Sequence, residues 1–134
     1  MKTIALQISP EAKSAYFKEY VHVAEQELGT TLEQGKTSHK SIGPLDFLVI
    51  EENTLAPQDL MRLSFVQGLY GVHGDQLEPL AVDGNYSLHE DFVFGAKYKG
   101  KTNERLTQML INVGLASIQK NAADNVKLLD PMCG

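Results

Sequence analysis

Residues 97–105, Lys-Tyr-Lys-Gly-Lys-Thr-Asn-Glu-Arg, put four cations and one acid into nine positions, a local +3 inside a chain of net charge −5. Gly100 permits a sharp bend there. Thr102 and Asn103 can cap the helix that follows, and they also present hydroxyl and amide groups. The free N–H groups of a helix start favour carboxylates and phosphates. Lys97, Lys99, Lys101 and Arg105 are the candidate contacts to an RNA phosphate backbone. The second chemical feature is the run 126–134, Val-Lys-Leu-Leu-Asp-Pro-Met-Cys-Gly. It reads as a buried strand running into a glycine turn. Many nucleotide-type cofactor sites begin with an apolar strand closed by an acid and a turn.

The run 99–104, an apolar helix, and Leu-Leu-Asp-Pro-Met-Cys-Gly at 128–134 together resemble the SAM-dependent RNA methyltransferases. The likeness is to the THUMP-associated group and its relatives, which modify guanosine in tRNA or rRNA. It covers residues 97–134 and is faint over 1–96. It implies a Rossmann-like α/β domain and S-adenosyl-L-methionine as cofactor. Asp130, Pro131 and the backbone at Gly134 would lie beside the methionine part of SAM. Thr102 and Asn103 would lie near its carboxylate. A carboxylate wants hydroxyl or N–H donors, and an ammonium wants an acid. Methyl transfer from a sulfonium needs alignment and exclusion of water more than acid–base work. No catalytic residue is therefore assigned.

In that family the rest of the glycine loop, the acid for the ribose hydroxyls and the loop for the target base come later. The chain is accordingly read as an N-terminal fragment that binds SAM weakly or not at all alone. The alternative is a noncatalytic α+β binding module, complete in itself. Self-association through the apolar strand 126–129 is a further expectation.

The elements that must position these residues follow from periodicity. Ile4, Leu6 and Ile8 alternate as a strand with one apolar face. Ser9-Pro10-Glu11 starts a helix over 10–28, with Ser9 as cap and Gly29 as stop. Tyr16, Phe17 and Tyr20 read as its core face, not as a base-stacking platform. The polar residues 29–44 read as a loop. Residues 46–51, too apolar to be half exposed, form a strand. Residues 55–60 read as a turn. Residues 61–65 alternate as a strand that loses phase at Gln67-Gly68, where a bulge is expected. His73-Gly74-Asp75 turns the chain into a returning strand over 77–82. A further turn at 83–85 and an extended stretch at 92–98 precede the helix entered at Thr102 or Asn103. The fold class is thus an α+β N-terminal domain (β-α-β plus hairpin, residues 1–90). The opening helix and first strand of a Rossmann-like methyltransferase domain follow in 91–134.

Composition bounds the rest. The estimated pI of 5.3 argues against broad adhesion to nucleic acid or anionic membrane. RNA would have to meet the local basic cluster. One cysteine, Cys133, excludes an internal disulfide and suits a cytoplasmic compartment. It reads as a small loop residue, not a nucleophile. His22, His39, His73 and His89 show no metal-ligand spacing, so no metal is expected. The adjacent pair Glu51-Glu52 would point to opposite faces of a strand, a poor arrangement for paired-carboxylate catalysis. No apolar run is long enough to span a bilayer.

Overall fold

The computed structural model describes residues 2–34, 36–82, 103–118, 127 and 129. The first strand, β1 (Lys2–Ile8), lies at the centre of an antiparallel sheet. β3 (Leu45–Asn53) and β4 (Val66–His73) flank it, with β2 (Thr37–Ile42) outside β3 and β5 (Gln76–Leu80) outside β4. The order is β2-β3-β1-β4-β5. The expected α+β class holds for this part of the chain. The alternation of β1 explains its central place: Leu6 faces Leu48 on one side and Leu69 on the other. Ile4, Leu6, Ile8, Leu48, Ile50 and Leu69 form one buried apolar face. Helix α1 (Pro10–Tyr16) and helix α2 (Tyr20–Leu32) cover it with Ala12, Tyr16, Ala24 and Leu28. On the opposite face Phe47 and Tyr70 meet edge to face, centroids 5.7 Å apart, and Tyr70 donates to Gln7 Oε1 at 2.8 Å.

Two further helices close the layer. The single turn α3 (Pro57–Leu60) buries Leu60 under the sheet end, and Leu63 and Phe65 follow it into the core. Helix α4 (Glu104–Ser117) packs against α1 and α2. Its Leu106 and Met109 reach the same core, and its Gln108 and Asn112 amides both donate to the Arg62 carbonyl, at 2.6 and 2.8 Å.

Several sequence expectations need correction. The helix expected over 10–28 is two helices joined by a 3-10 turn at Phe17–Glu19. Ser9 caps it as expected, accepting from the Ala12 amide at 3.1 Å. The helix does not stop at Gly29. It continues to Leu32, and Glu33 in the left-handed region ends it. The expected loop 29–44 contains β2, an edge strand whose polar side chains carry no apolar periodicity and which pairs with β3. Residues 61–65 are turns, and the strand begins at Val66. The expected bulge is present: Gln7 pairs with Gly68 and Ile8 with Val66, so Gln67 is the extra residue. The hairpin turn at Gly74 (φ +60°) also matches. The domain boundary expected near residue 90, the turn at 83–85 and the extended stretch 92–98 lie outside the described residues; of the buried strand expected over 126–129, the two described residues, Lys127 and Leu129, are exposed and not in a strand.

The break between α1 and α2 carries strain. Phe17 has φ 52° and ψ −133°, and its ring is 79 % exposed. A β-carbon is disfavoured in that conformation, and the exposed ring returns little packing. Phe17→Gly is expected to stabilise the protein by about 1 kcal/mol, after subtracting the added freedom of the unfolded glycine. A chemical-denaturation midpoint that fails to rise would show that the ring contributes contacts of that size.

Candidate functional site

The cap predicted at the start of the second long helix is formed by Asn103. Its Oδ1 accepts from the amides of Arg105 at 2.9 Å and Leu106 at 3.3 Å. That oxygen is committed to α4 itself. Arg105 is half-buried, and its carbonyl accepts from the Tyr16 hydroxyl at 3.0 Å. Of the residues singled out in the sequence, Lys97, Lys99, Lys101, Thr102, Asp130, Pro131, Cys133 and Gly134 lie outside the described residues. Asn103 and Arg105 are brought together at the α4 start, against α1.

Next to that helix start sits a buried polar chain. Glu27, 2 % exposed, points inward from α2. Its Oε1 accepts from the Ser64 amide and from the Asn112 side-chain amide, both at 3.0 Å. Its Oε2 accepts from the Ser64 hydroxyl at 2.6 Å. Ser64 Oγ in turn lies 2.7 Å from the Tyr16 hydroxyl. With Ser64 donating to Glu27, the single Tyr16 hydrogen is shared between Ser64 and the Arg105 carbonyl. Burial pushes the Tyr16 hydroxyl above its ordinary pKa, and the neighbouring Glu27 adds to this, against the bond to Ser64 and the charge of Arg105. The chain links α1, α2, the loop before β4 and α4.

A second cluster centres on Asp46, at the start of β3. Its Oδ1 accepts from the Ser41 hydroxyl at 2.6 Å and lies 3.2 Å from His39 Nε2. Its Oδ2 binds the Lys13 ammonium and accepts from the Tyr20 hydroxyl at 3.0 Å. The Lys13 ammonium also lies 5.5 Å from the Tyr20 ring centre. The bond from Lys13 first, then that from Ser41, hold the Asp46 carboxyl well below the usual carboxylate range, and Tyr20 and His39 add to this against burial. Burial, reinforced by the bond to Asp46, raises the Tyr20 hydroxyl.

His39, Ser41 and Asp46 are the residue types of a hydrolytic triad, but the connectivity is wrong for one. A triad needs the imidazole between hydroxyl and carboxylate. Here the hydroxyl and the imidazole both bind the carboxylate directly. Asp46 is too weak a base to activate Ser41. The cluster therefore fastens the edge strand β2 to β3 and the helices.

Glu27 and Asp46 were not singled out in the sequence. Glu27 carries a signal, since it falls with Tyr20, Ala24 and Leu28 on the inward side of α2, an odd place for an acid. Asp46 carries almost none, because its partners come from three separate elements. Of the histidines, His73 pairs with Glu78 at 3.0 Å on the exposed β4–β5 hairpin. Among the described residues no group of His, Cys, Asp and Glu is arranged to hold a metal ion. Glu51 and Glu52 are both exposed, and Glu52 takes φ 53° where β3 gains a residue against β1. No helix of the described residues is long and apolar enough to cross a membrane.

An open polar cleft of about 490 Å³ runs beside the C-terminal half of α2 and the start of β2, lined by Glu25, Gln26, Thr30, Glu33, Lys36 and Thr37 among others. Comparison with protein-family models, with curated proteins and with solved structures gives no match.

Proposed function

We propose that the protein serves SAM-dependent methylation of RNA, as a cytoplasmic enzyme or as its N-terminal part. The reading is supported by the order of residues around α4. The run 99–104 ends where α4 begins, Asn103 caps it, and Leu-Leu-Asp-Pro-Met-Cys-Gly follows at 128–134. In this reading Thr102 offers its hydroxyl to the SAM carboxylate, and Asn103 fixes where the helix starts. Asp130, Pro131 and Gly134 form the first loop of the cofactor site. Lys97, Lys99, Lys101 and Arg105 attract the RNA backbone. Helices α1 and α2 and the Arg62 carbonyl support α4 through Leu106, Met109 and Asn112. Self-association through residues 126–129 belongs to the same reading.

Transfer of labelled methyl from SAM to bulk tRNA and rRNA, by the protein as its gene encodes it, tests the proposal. Incorporation into a nucleobase is expected, and Asp130→Ala is expected to reduce it by about 100-fold. No incorporation into either RNA would overturn the reading. The 134-residue chain alone is expected to bind SAM more weakly than micromolar by calorimetry.

A further inference from the structure

The two edges of the sheet are not alike. β5 carries Pro79, which has no N–H to offer, and the exposed charged residue Glu78. Both features discourage another strand from adding there. β2 also carries an exposed charge, Lys40, but has neither proline nor bulge, so every residue keeps its N–H. Its six residues pair in unbroken register with β3, and among the described residues nothing pairs with its other side. The edge is also held in place before any partner arrives. Asp46 grips His39 and Ser41, two of its side chains, and ties them to Lys13 and Tyr20 on the helices. A fixed edge adds a strand with less ordering cost than a mobile one.

Beside the first residues of β2 lie two hollows, one on each face of the sheet. Residues of β2 opposite Ile50 and Leu48 share the helix-side face, so Thr37 faces the 490 Å³ cleft under α2. Ser38, opposite Val49, faces the other way, where a hollow of about 100 Å³ is lined by Ser38, Val49 and Glu51 with Lys36 and Thr37. Side chains of an added strand alternate in the same manner. The residue opposite Thr37 would enter the large cleft and its neighbour the small hollow. The cleft carries Glu25 and Glu33 against Lys36, and Glu51 adds a third acid on the far side.

We propose that the β2 edge and its two hollows form a docking groove for an extended peptide of a partner protein, with a lysine or arginine in the cleft beside Glu25 and Glu33 and a small apolar residue in the hollow at Val49. Main-chain bonds to β2 give affinity, and the two hollows give selectivity. The inference does not rest on methyl transfer.

The probes are two blocked hexapeptides, Thr-Val-Lys-Val-Thr-Val and the same peptide with glutamate in place of lysine, titrated into the full chain by amide NMR. The lysine peptide is expected to slow hydrogen exchange in β2 and to shift Gln26 and Thr30. The glutamate peptide is expected to bind about fivefold more weakly, the size of one or two exposed charge pairs. The double variant Glu25→Lys, Glu33→Lys is expected to invert that preference. Three results would overturn the proposal: no protection of β2 at millimolar peptide, equal binding of both peptides, or β2 protection that grows with protein concentration without peptide. The last would give the edge to a second copy of the chain.

Discussion

Glu27→Ala is expected to destabilise the protein by about 4 kcal/mol. Glu27 is the shared acceptor of the buried Ser64 amide and hydroxyl and of the part-buried Asn112 amide. Removing it strands the Ser64 amide and loosens its hydroxyl where water is scarce, each at about 1–3 kcal/mol, while Asn112 keeps its bond to the Arg62 carbonyl. The cavity adds to the loss. Glu27→Gln keeps the shape and one acceptor oxygen, so its loss is expected to be about half as large. Equilibrium unfolding in urea gives both values. Hydrogen exchange adds a second readout, since the amides of α4 are expected to lose protection before those of β1. A loss below about 1 kcal/mol for the alanine variant would mean that water enters and replaces the carboxylate.

Asp46→Asn is expected to cost about 2 kcal/mol at neutral pH, through the bonds from Lys13, Tyr20, His39 and Ser41. Lys13 and His39 are each about one-third exposed, so their share is reduced by solvent. The same group fixes an acid dependence. The folded state holds the Asp46 carboxyl below its ordinary value, so the folded state binds fewer protons than the unfolded chain as the pH falls. Its contribution is complete above the ordinary carboxylate range and is lost as the pH drops below it. Wild-type stability should decline on acidification more steeply than that of Asp46→Asn. Parallel curves would show that the depressed acidity is not coupled to folding.

The sheet centre was legible because β1 alternates and β3 is continuously apolar, two patterns that burial on one or both faces imposes. The hairpin and the bulge at Gln67 were legible for the same reason, since glycine and lost phase mark both. β2 was not, because Thr-Ser-His-Lys-Ser buries almost nothing and owes its shape to pairing with β3. The break at Phe17 was hidden too. An aromatic at helical spacing reads as core, and only the handover from α1 to α2 turns it outward. Of the candidate site, the cap at Asn103 could be read from its own neighbours. Glu27 and Asp46 gain their roles from residues far along the chain, up to 85 positions away in the bond to Asn112.

The place of β1 bears on how the protein is made. It leaves the ribosome before both of its neighbours, β3 at 45–53 and β4 at 66–73. Until residue 73 has cleared the exit tunnel, the nascent chain displays Ile4, Leu6 and Ile8 without a full set of partners. At bacterial or eukaryotic elongation rates of about 5–20 residues per second, that exposure lasts some seconds. A holdase that recognises short apolar β-segments would find a target in residues 2–8 during that interval.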